Sequence, residues 1–292
     1  MCKAGIVGSF PHVNARSSEM LDRWLSEMTA ELDTFAAAHP GWPVGPLAVN
    51  LVVHRTNPRF AADLDLVVKH RVPIVLTSLG SPAPVVEAVR AYGGVVLNDV
   101  TNAAHARKAA SSGVDGLNCV GAGAGGHASA QSGFALVREI RAFWDGCLIL
   151  GGAINDGWQI RVAEVLGADL AYVGAQFVAS TESSASDDYK AMMVKAEISD
   201  LVYTDRLSGI GCNFLRPSLD RFGIDPQQLP PKAPDLSSLV DTQARLWRDI
   251  WTAGHGVGAV QDIRSVADIV EDMAAGYCAA CALPASPSLA ET

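Results

Sequence analysis

The sequence predicts an α/β fold: a TIM (β/α)8-type barrel that lacks its first strand and carries a C-terminal helical extension. Three observations predict it. Short, nearly uninterrupted apolar runs alternate with amphipathic stretches as far as residue 173, the pattern of parallel strands covered by helices. Small polar residues or glycines close every run instead of gathering at one crossover, which favours a barrel over a doubly wound sheet. Glycine turns of the phosphate-binding type follow the last two runs, where barrels commonly hold phosphate.

Residues 4–10 (AGIVGSF) read as the first visible strand, and 18–39 as a helix whose amide ends Ser17 or Ser18 can cap. Residues 46–53 (PLAVNLVV) are the second strand, interrupted near its end by Asn50. The alternation continues through helix 57–70, strand 72–79 ending in Thr77 and Ser78, helix 84–92, and strand 94–100 carrying Asn98 and Asp99. Helix 102–112, strand 114–120, helix 132–144, strand 147–151, helix 157–166 and strand 170–173 complete it. These make seven strands, and an eighth is expected ahead of Met1. Residues 1–182 are thus assigned to βα units and 183–292 to a helical extension packed on the barrel. That extension is expected to be helical from 187 to about 217 with a turn at 208–212, then a Pro-rich loop over 223–238. A helix over 239–251, a Gly-rich turn over 252–260 and a closing helix over 263–281 follow.

A chain of 292 residues with 49% apolar residues can bury a substantial core. Its formal charge of −9 excludes the broad basic footprint of a nucleic-acid or anionic-membrane binder, so any anion site must be local. The six cysteines show neither paired metal-ligand spacing nor a secreted framework, which predicts no metal and a reducing, cytoplasmic setting. Cys278 and Cys281 form the one C-x-x-C, but in an Ala-rich helical pattern that favours packing over redox chemistry. No apolar run reaches the roughly 18 residues of a membrane span.

The chemistry-bearing stretches are residues 114–129 and 147–183. In the second, Gly151-Gly152 and Gly174 end successive runs, so two turns can offer backbone N–H groups to one anion. In the first, Gly125-Gly126 lack the Cβ atoms that would keep a flat ring away, and His127 is the ionisable side chain beside them. An imidazole titrates near neutrality and can take a proton. The spaced glycines from 121 do not form a dinucleotide fingerprint, because they follow a late strand and run into a polar loop. Asn50, Ser78 and Asn98 stand at strand ends, where each can bond a ring edge. A buried amide satisfied by backbone is the competing reading. His255 either lines the pocket or simply stands on its turn.

The ordered set AGIVGSF at 4–10, AVN at 48–50, GAGAGGH at 121–127, GGAIND at 151–156, LGADLAYVGAQF at 166–177 and WTAGHGVGAV at 251–260 resembles the FMN-dependent nitronate monooxygenases, formerly 2-nitropropane dioxygenases. The resemblance implies a barrel that holds FMN non-covalently at its carboxyl face and oxidises alkyl nitronates with oxygen. By position it implies that Gly151, Gly152, Gly174 and Ala175 hold the flavin phosphate with Gln176 beside them. It further implies that Asn50 touches the flavin ring and that His127 is the catalytic histidine. Ser78, Asn98, Gly125 and Gly126 complete the expected cofactor contacts, and a homodimer is compatible with the family. The chain departs from the family in having Ala122-Gly123-Ala124 before Gly-Gly-His, in having His255 where Gln is common, and in lacking the opening strand with its Pro-Met loop. Two rival readings are an FMN-dependent NAD(P)H enoyl-acyl-carrier-protein reductase and a truncated, non-catalytic barrel serving as a binding subunit.

Overall fold

Alternation of apolar residues along each strand builds a sheet with two different faces. In the computed structural model, which describes residues 1–234 and 246–283, the strands are β1 (Gly8–Pro11), β2 (Leu47–Val52), β3 (Ile74–Ser78), β4 (Val95–Val100), β5 (Gly116–Val120), β6 (Gly126–His127), β7 (Cys147–Gly151), β8 (Leu170–Tyr172), β9 (Leu201–Thr204) and β10 (Cys212–Leu215). The helices are α1 (Ser18–Ala38), α2 (Phe60–Lys69), α3 (Ala83–Arg90), α4 (Ala103–Ser111), α5 (Gly133–Arg141), α6 (Gly157–Leu166), α7 (Ala175–Val178), α8 (Asp187–Lys195), α9 (Arg216–Asp220) and α10 (Val266–Cys281). Seven strands pair in parallel in the order β1-β2-β3-β4-β5-β7-β8, the topology of successive βα units. Val49, Leu51, Val75, Val96, Leu117 and Leu148 belong to the large core shared with the helices. Ala48, Leu76, Leu97 and Ile149, one residue out of step, make a separate cluster on the other face, the inside of the barrel.

The sheet curls until its two outermost strands approach. Tyr172 Oη on β8 donates to Ser9 Oγ on β1 at 3.1 Å, yet no strand ladder joins β8 to β1 among the described residues. The architecture is a TIM-type half-barrel with α10 packed along α6.

Local signals set most boundaries. Ser17 Oγ accepts from Met20 N at 3.2 Å and starts α1, Asn102 Oδ1 accepts from His105 N at 2.8 Å for α4, and Asp156 Oδ1 accepts from Gln159 N at 2.9 Å for α6. Residues 4–7 do not form the strand that their apolar character predicts. Cys2–Ala4 is a 3-10 turn, and Gly5, at φ +84°, breaks the chain before β1.

The extension departs further from expectation. Only Asp187–Lys195 of the stretch from 187 to 217 forms a long helix, and β9 and β10 follow as an antiparallel pair to which β6 adds a third strand. The reason lies in the sequences LVYT and CNFL, whose β-branched and aromatic residues fit a ladder closed by Gly209 and Gly211. Of the helix expected over 239–251, residues 235–245 lie outside the described residues, and Trp247–Asp249 form a turn inside the bridge Leu246–Ile250.

A buried hydrogen-bonded cluster ties the segment after β1 to α2. His12 Nδ1 lies 2.5 Å from Asp63 Oδ2, Ser18 Oγ donates to Asp63 Oδ1 at 2.5 Å, and both His12 and Asp63 are fully buried. Burial works against the Asp63 charge, but the bonds from His12 and Ser18 outweigh it and hold the carboxyl below its usual range. His12→Ala removes one partner of this carboxylate but leaves Arg59 Nη2 at 2.9 Å and Ser18 in place, and an equilibrium urea melt is expected to show a loss of about 1–2 kcal/mol.

Candidate active site

Three loops meet at the carboxyl end of the sheet through backbone alone. The Gly123 carbonyl accepts from Ala153 N at 3.1 Å and from His255 N at 2.9 Å, joining the loop after β5 to the corner after β7 and to the turn before α10. Asn213 on β10 clamps the same loop, its Nδ2 donating to Ala122 O at 2.8 Å and Ala124 O at 2.7 Å. A Cβ on Gly125 would lie 2.7 Å from Gly254 N. Gly125 therefore serves loop packing, although it lines the cavity. Gly126, at φ +73° with its nearest neighbour 4.0 Å from a Cβ position, is the glycine that leaves open space.

His127 follows, held in β6 by its pairing with Cys212. Its ring meets Trp247 edge to face at 5.3 Å, and its Nε2 is buried with no hydrogen-bond partner. Burial pushes its pKa down to about 4, so the imidazole is neutral at pH 7. An unpaired, neutral ring nitrogen on a cavity wall is suited to receive a proton or a polar ligand atom.

Inside the barrel a polar layer lies above the apolar one. Ser78 Oγ donates to Asn50 Oδ1 at 3.0 Å, Asn50 Nδ2 donates to Asp99 Oδ2 at 3.0 Å, and Asn118 Nδ2 donates to Asp99 Oδ1 at 2.8 Å. Asn50 and Ser78 are thus in place on the cavity wall. Asn98 is also among the residues lining the cavity, but its Nδ2 is taken up by Thr77 O at 3.0 Å and Thr77 Oγ1 at 2.7 Å. It sits one residue from Asp99 and so projects from the other face of the strand, the competing reading of a structural amide. Asp99 lines the cavity and Asn118 braces it, and neither was anticipated from the sequence. Their signal was a polar residue at the inward parity of an apolar strand.

The two glycine corners emerge side by side, because Gly151 on β7 pairs in register with Tyr172 on β8. Gly152 has φ +115°, and a Cβ there would lie 2.8 Å from Ala124 N. Gly174 has nothing within 4 Å of its Cβ position, and it precedes α7, whose first N–H groups, at Ala175 and Gln176, have no acceptor inside the helix. The Gln176 side chain donates to Ala259 O at 3.0 Å and braces the Gly-rich turn. None of Gly151, Gly152, Gly174, Ala175 and Gln176 is among the residues lining the cavity, although Phe177 and Val178, a few residues further on, are. His255 is not among the lining residues.

The cavity measures about 2550 Å3, beyond the ~300–1,000 Å3 of ordinary small-molecule sites, because it runs from the mouth through the open seam between α1 and α10. Trp24 and Met28 of α1 and Val270 and Ala274 of α10 are among the residues lining it. No group of three or more His, Cys, Asp or Glu is placed to hold a metal among the described residues, and no described helix is long and apolar enough to cross a membrane. For a phosphorylated ring the mouth offers open space over Gly126 and an unpaired ring nitrogen at His127, while the free amides of Ala175 and Gln176 and the open space over Gly174 lie outside the cavity lining.

A curled parallel sheet with its mouth at the carboxyl ends of the strands is the architecture of the TIM-barrel enzymes. The family model for nitronate monooxygenase matches residues 25–276, and the chain belongs to that flavin-dependent family. It is 26% identical over 267 residues to a nitronate monooxygenase of Paraburkholderia phytofirmans, covering 86% of this chain and 71% of that one. It is 29% identical over 226 residues to a Mycobacterium tuberculosis protein named as a monooxygenase, covering 72% of this chain but only 60% of the relative. Among solved structures, FabK from Thermotoga maritima superposes with a TM-score of 0.78 at 25% identity, over 96% of this chain and 87% of that one.

Proposed function

We propose that the protein oxidises alkyl nitronates, or the nitroalkanes from which they derive, with molecular oxygen and with FMN as its cofactor. The observation that carries this reading is His127, a neutral imidazole with a buried, unpartnered Nε2 on the wall of the mouth. The N–H groups of Gly152, Gly174 and Ala175 would hold the phosphate, and Asn50 with Ser78 would meet the ring. FMN, when bound, supplies the redox chemistry, taking electrons from the organic substrate and passing them to oxygen. His127 Nε2 takes the proton from the carbon that bears the nitro group, leaving a nitronate and an imidazolium. Trp247 packs on the ring and helps keep water from it. We place the protein in the cytoplasm, where its six cysteines, all unpaired, stay reduced.

A yellow protein that consumes oxygen on addition of nitroethane or its nitronate is the expected result. Anaerobic bleaching of the flavin by NAD(P)H, unaffected by nitronate, would replace this reading with an enoyl-reductase-type activity. Colourless protein that also refuses added FMN would replace it with a binding role. A base must be deprotonated to act, so kcat/KM for nitroethane is expected to hold as the pH falls through the usual histidine range. It should drop only near the His127 value of about 4. An acid limb near the ordinary histidine pKa of about 6.5 would remove His127 from this role.

A further inference from the structure

Trp247 stands in the left-handed region, at φ +59°, a conformation that strains a bulky residue and that glycine adopts freely. Two sets of contacts hold it there. Trp247 N donates to Ile250 O at 3.0 Å and closes the turn inside the bridge between Leu246 and Ile250. Leu246 and Trp247 then pack on the core of the small antiparallel sheet, against the cluster that contains Phe214, Leu219 and Ile250. The indole is thereby fixed between that core and the His127 ring, with the two ring centroids 5.3 Å apart. It is only partly buried, and it lines the cavity.

The wall around it is apolar. Leu246 adjoins it in the chain, and Ile210 lies two residues before the Cys212 that pairs with His127; both line the cavity. Arg248 lines it as well, but Asp249 Oδ2 accepts from its Nη2 at 2.7 Å and from its Nε at 3.1 Å, so this charge is balanced within the wall. Trp251 is only 5% exposed, with Tyr189 stacked on its ring at 4.9 Å and the Arg221 guanidinium over it at 4.7 Å. Of the two tryptophans, Trp247 is the one left to a ligand, and it is the one that touches His127. A carbon within reach of His127 Nε2 therefore has this indole beside whatever else that carbon carries.

We propose that Trp247 is a specificity-determining residue whose indole receives the substituent on the reacting carbon and selects flat aromatic groups over short alkyl ones, so that the substrate class is the arylmethyl nitro compounds. The nitro group rests on the function proposed above; the aromatic preference beside His127 does not. An aryl substituent gains both apolar burial and an offset or edge-to-face contact with the indole, whereas a methyl substituent gains little of either.

The test is isothermal titration calorimetry of the purified protein with nitrobenzene and nitroethane. Nitrobenzene has no hydrogen on its nitro-bearing carbon, so its binding is read without any turnover. The wild type is expected to bind nitrobenzene at least about tenfold tighter than nitroethane. Trp247→Gly, which suits the left-handed backbone and removes the indole, should bring the two within about threefold, and Trp247→Phe should keep most of the preference. Should Trp247→Gly fail to fold, Trp247→Leu takes its place and is expected to lose at least about threefold in nitrobenzene affinity while nitroethane stays within about twofold. Equal binding of the two probes by the wild type, or an unchanged preference once the indole is gone, overturns the proposal. Protein that shows the Trp247-dependent preference but consumes no oxygen with nitroethane or phenylnitromethane would overturn the oxidase reading and leave this one standing.

Discussion

His127→Asn is expected to lower kcat/KM for nitroethane by about 10²–10⁴-fold, the usual contribution of a positioned proton acceptor. FMN uptake, read by quenching of flavin fluorescence, should stay within about twofold of wild type. Asparagine retains polarity and part of the ring's shape but cannot accept the proton. Because Nε2 bonds to nothing in the protein, the substitution breaks no hydrogen bond there and costs only part of the edge-to-face contact with Trp247. Preformed nitronate, whose carbon has already lost its proton, should be far less affected. An oxygen-electrode assay with both substrates separates the two cases, and equal turnover of nitroethane by variant and wild type would sink the assignment.

Gly157→Ala is expected to destabilise the fold by on the order of 5 kcal/mol, more than the usual overpacking penalty, because the atoms in the way are backbone. A Cβ at Gly157 would lie 2.0 Å from Tyr277 N and 2.2 Å from Met273 O, so α10 must move bodily off α6. The damage should reach the cavity, since Val270 and Ala274 of α10 form one of its walls. Thermal melts with and without FMN, beside the control Gly258→Ala, whose Cβ would meet nothing within 4 Å, read both effects. A Gly157→Ala protein that melts with the control would show that α10 is not held as tightly as the approach of these backbones implies.

The barrel was legible because its strands are short apolar runs bounded by caps and glycines, and β2 and β7 fall within a residue of their expected limits. The C-terminal sheet was not, since β10 pairs with β6 across a long stretch of chain, and no local pattern announces a partner so distant. His127 was legible as the ionisable residue after a glycine pair. Asn98 and Asp99 exchange their expected standing for a simple reason: neighbours on a strand point to opposite faces, so Asn98 braces Thr77 while Asp99 enters the barrel. The burial that pushes the Asp99 and His127 pKa values in opposite directions depends on tertiary closure, which residue identity does not carry.

Because one carbonyl, that of Gly123, receives amides from two other loops, the rim of the mouth has no hinge of its own. Lifting the Gly123 loop strands the Ala153 and His255 amides together, so movement of that loop should expose both at once. In hydrogen exchange the amides of Ala153 and His255 are then expected to share a single protection factor. Substrate entry would in that case proceed without a moving flap.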